Sequence, residues 1–119
     1  NPKDEVLEVQ NDVGDVFGNT LDGVEFMAEP AEKRDYEAAM DTFRKGDFVA
    51  AQAALSAFVQ RYRKGGYAPS ALFWLGNAQY ANKSYKDAMA NFQQMLTVAP
   101  THARAPEALL AISNVQIEL

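Results

Sequence analysis

The sequence contains no cysteine in its 119 residues, which excludes disulfides, thiolate metal sites and cysteine nucleophiles. His102 is the one histidine of the sequence. No carboxylate cluster accompanies it at the spacing of metal ligands. No run approaches the roughly eighteen apolar residues that a membrane-spanning helix needs. Gly65-Gly66 is not followed by the Lys-Ser/Thr of a phosphate-binding loop. We therefore expect no catalytic residue, no metal and no cofactor, and we predict that the chain is not an enzyme.

Positive charge is scarce at the start of the chain. Residues 1–32 contain nine Asp or Glu against Lys3 alone, whereas residues 33–119 contain ten Lys or Arg against seven Asp or Glu. The basic residues form no stripe of the kind that binds nucleic acid. The acidic start has no apolar h-region, so we expect no signal peptide in this chain. We interpret residues 1–32 as an acidic linker or short capping segment, in which Leu21, Val24 and Phe26 indicate a short extended piece that packs on the first unit.

The strongest feature of the sequence is self-similarity at an offset of 37 residues. At that offset Phe48 meets Tyr85 and Ala51 meets Ala88. A longer match aligns Ala68-Pro69-Ser70-Ala71-Leu72 with Ala105-Pro106-Glu107-Ala108-Leu109. The register continues without a gap through three copies, which indicates a repeat architecture.

Each repeat unit is predicted to contain two helices. The second helix of each unit is indicated by apolar residues that share one helical face. In the first unit these residues are Phe48, Ala51, Leu55, Phe58 and Tyr62. First helices are predicted over 34–45, 69–82 and about 105–118.

Turn and capping residues mark the helix boundaries. Gly46 is suited to the left-handed conformation that ends a helix, and Asp47 and Ser84 are expected to cap the helices that follow them. Pro69 and Pro106 are predicted at helix starts, where a missing N–H is tolerated.

The second unit resembles the tetratricopeptide-repeat (TPR) signature. The residues that carry the resemblance are Trp74-Leu75-Gly76, Tyr80, Tyr85, Ala88, Phe92 and Pro100. We therefore predict an all-α fold, a TPR helix-turn-helix solenoid with an acidic N-terminal lead-in. Residues 33–119 are assigned to this TPR domain, with units at about 33–69, 70–106 and 107–119, the last holding only a first helix.

A more specific resemblance covers about residues 21–119. It is carried by Asp22-Gly23-Val24-Glu25-Phe26-Met27-Ala28-Glu29-Pro30, Tyr67-Ala68-Pro69-Ser70-Ala71-Leu72-Phe73-Trp74-Leu75-Gly76-Asn77-Ala78-Gln79-Tyr80 and Ala103-Arg104-Ala105-Pro106-Glu107-Ala108-Leu109-Leu110. These segments are similar to the C-terminal TPR domain of the Tol–Pal-associated periplasmic family (CpoB or YbgF). The resemblance implies a periplasmic location, a TolA-like partner, a penicillin-binding protein as another partner, and a role linking cell-wall synthesis to outer-membrane constriction at division.

The chain departs from that family in two places. Members carry an N-terminal trimerising coiled coil, whereas here only Val6, Val9, Val13 and Val16 keep heptad spacing, which is too short to hold one. Members also complete a third repeat, whereas this sequence stops at Leu119, so we expect it to be a fragment.

Partner-binding residues follow from the resemblance, since the first helices of TPR units line the concave side of the solenoid. The expected groove residues are Tyr36, Met40, Arg44, Ser70, Phe73, Asn77, Tyr80, Leu110 and Asn114. Asn77 and Asn114 offer both donor and acceptor groups to a peptide backbone. Tyr80 could equally pack between neighbouring first helices, and Trp74 is expected to pack rather than to bind.

An interaction scaffold of the cell envelope is the function that these features favour. A TPR subunit of outer-membrane assembly, or of another envelope complex, is the alternative, because such lipoproteins share the Tyr-x-Pro-x-Ala spacing. We also expect self-association through the C-terminal end, where Ala108, Leu109, Ile112 and Val115 would lie partly bare.

Overall fold

The structure, a computed structural model, describes residues 16–119. Two strands come first, β1 (Phe17–Leu21) and β2 (Val24–Ala28). Five helices follow: α1 (Pro30–Arg44), α2 (Phe48–Arg61), α3 (Ala68–Ala81), α4 (Tyr85–Val98) and α5 (Ala105–Glu118). Val6, Val9 and Val13, together with the rest of residues 1–15, lie outside the described residues.

The helices pack as consecutive antiparallel pairs, which confirms the all-α TPR-type solenoid. α1 and α2 form the first unit, α3 and α4 form the second, and α5 packs against α4. Leu55 of α2 and Phe92 of α4, which are related by the repeat offset, are each almost completely buried. One apolar cluster surrounds Leu55 and a second surrounds Phe92, so the core is divided between the repeats. Trp74 packs against both clusters and joins them.

Most of the predicted helix boundaries are confirmed. Gly46 adopts a left-handed backbone with φ of +79°, and the Asp47 carboxylate accepts a hydrogen bond from Ala50 N at 3.1 Å. Pro69 and Pro106 lie in the first turns of α3 and α5. The prediction for Ser84 is wrong, because its side chain makes no capping hydrogen bond to α4. Its own backbone N–H instead donates to Gln79 O at 2.8 Å in the turn.

Lys83 is strained at the position where the first unit has Gly46. It adopts φ of +63°, a conformation that a Cβ atom disfavours by roughly 1–2 kcal/mol. We expect Lys83→Gly to raise the free energy of unfolding by about 1 kcal/mol in urea titrations, because glycine removes this strain. Gly46→Ala is the mirror-image control and should lower the free energy of unfolding by a similar amount. A Lys83→Gly chain less stable than the parent would contradict this explanation.

The acidic lead-in contains a β-hairpin, where the sequence indicated only a short extended piece. β1 and β2 pair antiparallel, with Leu21 opposite Val24, so Asp22 and Gly23 form a two-residue turn. Both turn residues have positive φ, +53° and +79°, as a type I′ turn requires.

The hairpin packs on the first unit and on the loop before α3. The Phe26 ring contacts the Tyr67 ring edge-on, with 4.8 Å between centroids. The Tyr67 hydroxyl donates to Asn19 Oδ1 at 2.8 Å. Ala28, at the end of β2, is buried in the core of the first unit. The hairpin therefore covers one end of the solenoid and carries its turn towards the first helices.

Candidate functional site

A cleft of about 510 Å³ lies between α1, α3 and the turn of the hairpin. It lies on the side formed by the first helices, and we call it the concave cleft. Its lining residues are Leu21, Asp22, Tyr36, Glu37, Met40, Phe43, Arg44, Trp74 and Arg104.

Aromatic side chains form the floor of the concave cleft. Trp74 contacts Phe43 and Phe73 edge-on, with centroid distances of 5.1 and 4.9 Å. Tyr36 stacks on Tyr67 at 4.7 Å, and burial raises the pKa of the Tyr36 phenol well above its ordinary value. The phenol therefore stays neutral at physiological pH. Rigid aromatic surface of this kind is typical of protein-binding sites.

Charged side chains form the walls. At one wall the Asp22 carboxylate accepts hydrogen bonds from Ser70 Oγ at 2.5 Å and from Arg104 Nε at 2.9 Å. The Arg104 guanidinium lies over the Trp74 ring, 4.9 Å from its centroid, as in a cation–π contact. At the opposite wall Arg44 pairs with Glu37 at 3.6 Å, and both side chains are about half exposed. The cleft thus combines an apolar floor with one partly buried and one solvated ion pair.

The predicted groove residues of the first unit all line the concave cleft. Arg44 is exposed and stands at its rim, whereas Tyr36 and Met40 are buried and contribute to its floor. Their role in partner binding stays a prediction. The two buried residues present only an edge to a ligand.

In the second unit the structure places two predicted groove residues in the interior. Ser70 is fully buried beneath Asp22, and Phe73 is buried in the second core cluster. This differs from the open groove wall expected from TPR positions, because the hairpin turn and Arg104 cover this part of α3.

The other four predicted residues remain accessible. Asn77 and Tyr80 are half-buried on α3, and the Asn77 amide donates to Phe73 O at 2.9 Å within its own helix. Tyr80 packs edge-on against Tyr85 of the next helix at 5.5 Å. Leu110 and Asn114 are exposed on α5, one repeat on from Phe73 and Asn77. None of these four residues lines the concave cleft.

Sequence reasoning missed Asp22 and Arg104 as site residues. Asp22 had a usable signal, because Asp-Gly between apolar residues is the strongest short hairpin pattern. Arg104 had none, since its partner Asp22 is 82 residues away in the sequence.

The α5 helix exposes several apolar side chains. Leu109, Leu110 and Ile117 are 58%, 64% and 80% exposed. Ala108 and Val115 are fully buried against α4, so the expectation that they would lie partly bare is wrong. Self-association through the remaining apolar residues of α5 stays a prediction.

Residues 16–119 show neither a helix long and apolar enough to cross a membrane nor a group of three or more metal-ligating side chains.

Comparison with known proteins identifies the family to which the helices belong. A family model described as YfiO, outer membrane lipoprotein, matches residues 28–116, about three quarters of the chain. The chain belongs to this family. The match spans α1 to α4 and most of α5, so it covers the helices that form the concave cleft. The β-hairpin lies almost entirely outside it.

Two proteins of Pseudomonas putida are also similar, both described as cell division coordinator CpoB. Each is 41% identical over 54 residues, which is 44% of this chain and 20% of the relative. The chain therefore spans about a fifth of the curated relatives it matches. Together the matches support a TPR-type, CpoB-like chain.

Proposed function

We propose that the chain is a non-catalytic interaction scaffold of the bacterial periplasm that binds a Tol–Pal component, TolA, along its concave side. In this proposal it coordinates cell-wall synthesis with outer-membrane constriction at division. A penicillin-binding protein would be its second partner.

The concave cleft is the observation that carries this proposal. An aromatic floor between two charged walls can bury apolar side chains of a partner and fix their orientation through ion pairs. Its volume, about 510 Å³, accommodates a few side chains rather than a whole domain. We therefore infer that the partner contributes a peptide segment, which continues from the cleft along Leu110 and Asn114 of α5.

The resemblance to the Tol–Pal-associated family supplies the partner in this proposal, and the matched proteins support its cellular setting. Similarity to a cell division coordinator points to division, and the outer-membrane family points to the envelope. The family match also favours a second candidate function, that of a TPR subunit in outer-membrane assembly, because it covers more of the chain.

Calorimetric titration of the chain with the periplasmic part of TolA tests the leading candidate. Arg44→Ala and Leu110→Ser should each weaken binding by about tenfold, since each removes an exposed contact on the concave side. Both residues are exposed, so neither change should unfold the chain.

Leu109→Ser is the matched control, because Leu109 neighbours Leu110, is exposed to a similar degree and corresponds to Leu72 on another face of the repeat. It should leave the affinity unchanged. Equal losses in both leucine variants would place the site elsewhere on α5. Absence of binding to TolA would reject the Tol–Pal assignment and make outer-membrane assembly proteins the next partners to titrate.

A further inference from the structure

The hairpin turn occupies a preformed site for a carboxylate. The two oxygens of Asp22 are bound separately, Oδ2 by Ser70 of α3 and Oδ1 by Arg104 at the start of α5. The Asp22 side chain is 10% exposed, and Ser70 is completely buried. A carboxylate thus bridges α3 and the start of α5 on the concave side.

Arg104 is held in place independently of Asp22. Its guanidinium lies over the rings of both Phe73 and Trp74, at 5.5 and 4.9 Å, and Nη1 also contacts Glu107 at 3.2 Å. A planar guanidinium fixed in this way is preorganised to bind a carboxylate. The site would therefore persist if the hairpin turn moved away.

The hairpin is attached to the helices by few contacts. A two-stranded hairpin is marginal by itself, and Val24 and Met27 on its strands are 42% and 56% exposed. Its attachments are the Asp22 hydrogen bonds, the Phe26–Tyr67 ring contact, the Asn19–Tyr67 hydrogen bond and the packing of Leu21 and Ala28 on the core. A ligand that replaces Asp22 breaks two hydrogen bonds and forms two of the same kind.

Leu21 shows what should accompany the acidic group. It lines the concave cleft next to Asp22 and packs against the core cluster that contains Tyr36 and Met40. The hairpin turn thus places an apolar residue, Leu21, followed by an acidic residue, Asp22, in the concave cleft.

We propose that Ser70 and Arg104 form a carboxylate subsite of the concave cleft, and that the partner segment is an acidic peptide with an apolar residue before its carboxylate. Asp22 is a built-in competitor for this subsite. The partner displaces the hairpin turn when it binds. This inference rests on the proposed function, since it specifies the ligand of the same cleft.

Fluorescence anisotropy with a labelled, end-blocked peptide of residues 17–28 tests the subsite. The parent chain should bind this peptide weakly, because its own turn fills the subsite. Asp22→Ala should bind it about tenfold more tightly, as expected for a vacated charge-assisted site. Adding Arg104→Met to Asp22→Ala should remove that gain, and a peptide carrying Asn in place of Asp22 should bind about tenfold more weakly.

Glu25→Ala is the matched control, since it removes the same charge from an exposed position on the hairpin. It should bind like the parent. Arg104→Lys keeps the charge without the planar fork and should recover only part of the binding. This second variant keeps the test decisive if Arg104→Met proves unstable by circular dichroism.

Two outcomes of the peptide titration would overturn the proposal: an Asp22→Ala chain that binds no better than the parent, or a peptide affinity unaffected by Arg104→Met. TolA binding that is equally tight with and without Asp22 would also reject it, while leaving the proposed function intact. Conversely, Asp22-dependent peptide binding without TolA binding would support the subsite and reject the named partner.

Discussion

Phe92→Ala is expected to lower the free energy of unfolding by about 3–5 kcal/mol. The Phe92 side chain is 1% exposed and fills the space between α3 and α4. Its ring lies so close to Gly76 that a Cβ atom there would be 2.8 Å from it. Truncation leaves a cavity between packed helices. The last helix, α5, loses support as well, because its Ala108 and Val115 pack in the same cluster as Phe92. Urea unfolding followed by circular dichroism measures the loss.

Val98→Ala is the control for that measurement. Val98 lies on the same helix but is 50% exposed, so its loss should change the stability by less than about 0.5 kcal/mol. A Phe92→Ala loss as small as that of Val98→Ala would mean that the second unit is not held together by this core.

Gly66→Ala should detach the hairpin from the solenoid and lower the stability by about 2 kcal/mol. A Cβ atom at Gly66 would lie 2.1 Å from the Phe26 ring, so the ring must leave its place beside Tyr67. The loss corresponds to exposing part of one aromatic side chain. Amide hydrogen exchange of β1 and β2 reports the detachment directly, and should become faster than in the parent chain.

Gly18→Ala provides a matched control within the hairpin, because nothing lies within 4 Å of a Cβ atom at Gly18. Its stability and exchange rates should equal those of the parent. If Gly66→Ala behaved in the same way, the packing of Phe26 would not hold the hairpin.

The helices of this chain were predictable because each repeats a pattern. The repeat pattern, with Pro69 and Pro106 at helix starts, predicts α3 and α5 to within about one residue. It misplaces the start of α1, which was predicted at residue 34 and begins at Pro30. Local capping was harder to predict. Asp47 caps α2 through its carboxylate, whereas Ser84, which also follows a left-handed residue, does not cap α4.

The candidate site was only partly predictable, because it combines local and distant elements. Repeat position alone locates Tyr36, Met40 and Arg44 on the concave cleft. It does not reveal that Ser70 is covered by a hairpin turn from outside the repeats. Contacts of that kind depend on tertiary structure, and no sequence period indicates them.

We propose that the concave cleft receives the partner, and Trp74 allows a direct test. It is the single tryptophan of the chain, and it contacts Phe43, Phe73 and Arg104 at the floor of the cleft. Its emission should therefore shift in a saturable way when a tryptophan-free periplasmic fragment of TolA is added. The midpoint should match the calorimetric affinity and move by about tenfold in the Arg44→Ala chain. Calorimetric binding without any change in Trp74 emission would contradict the claim and place the partner on another surface.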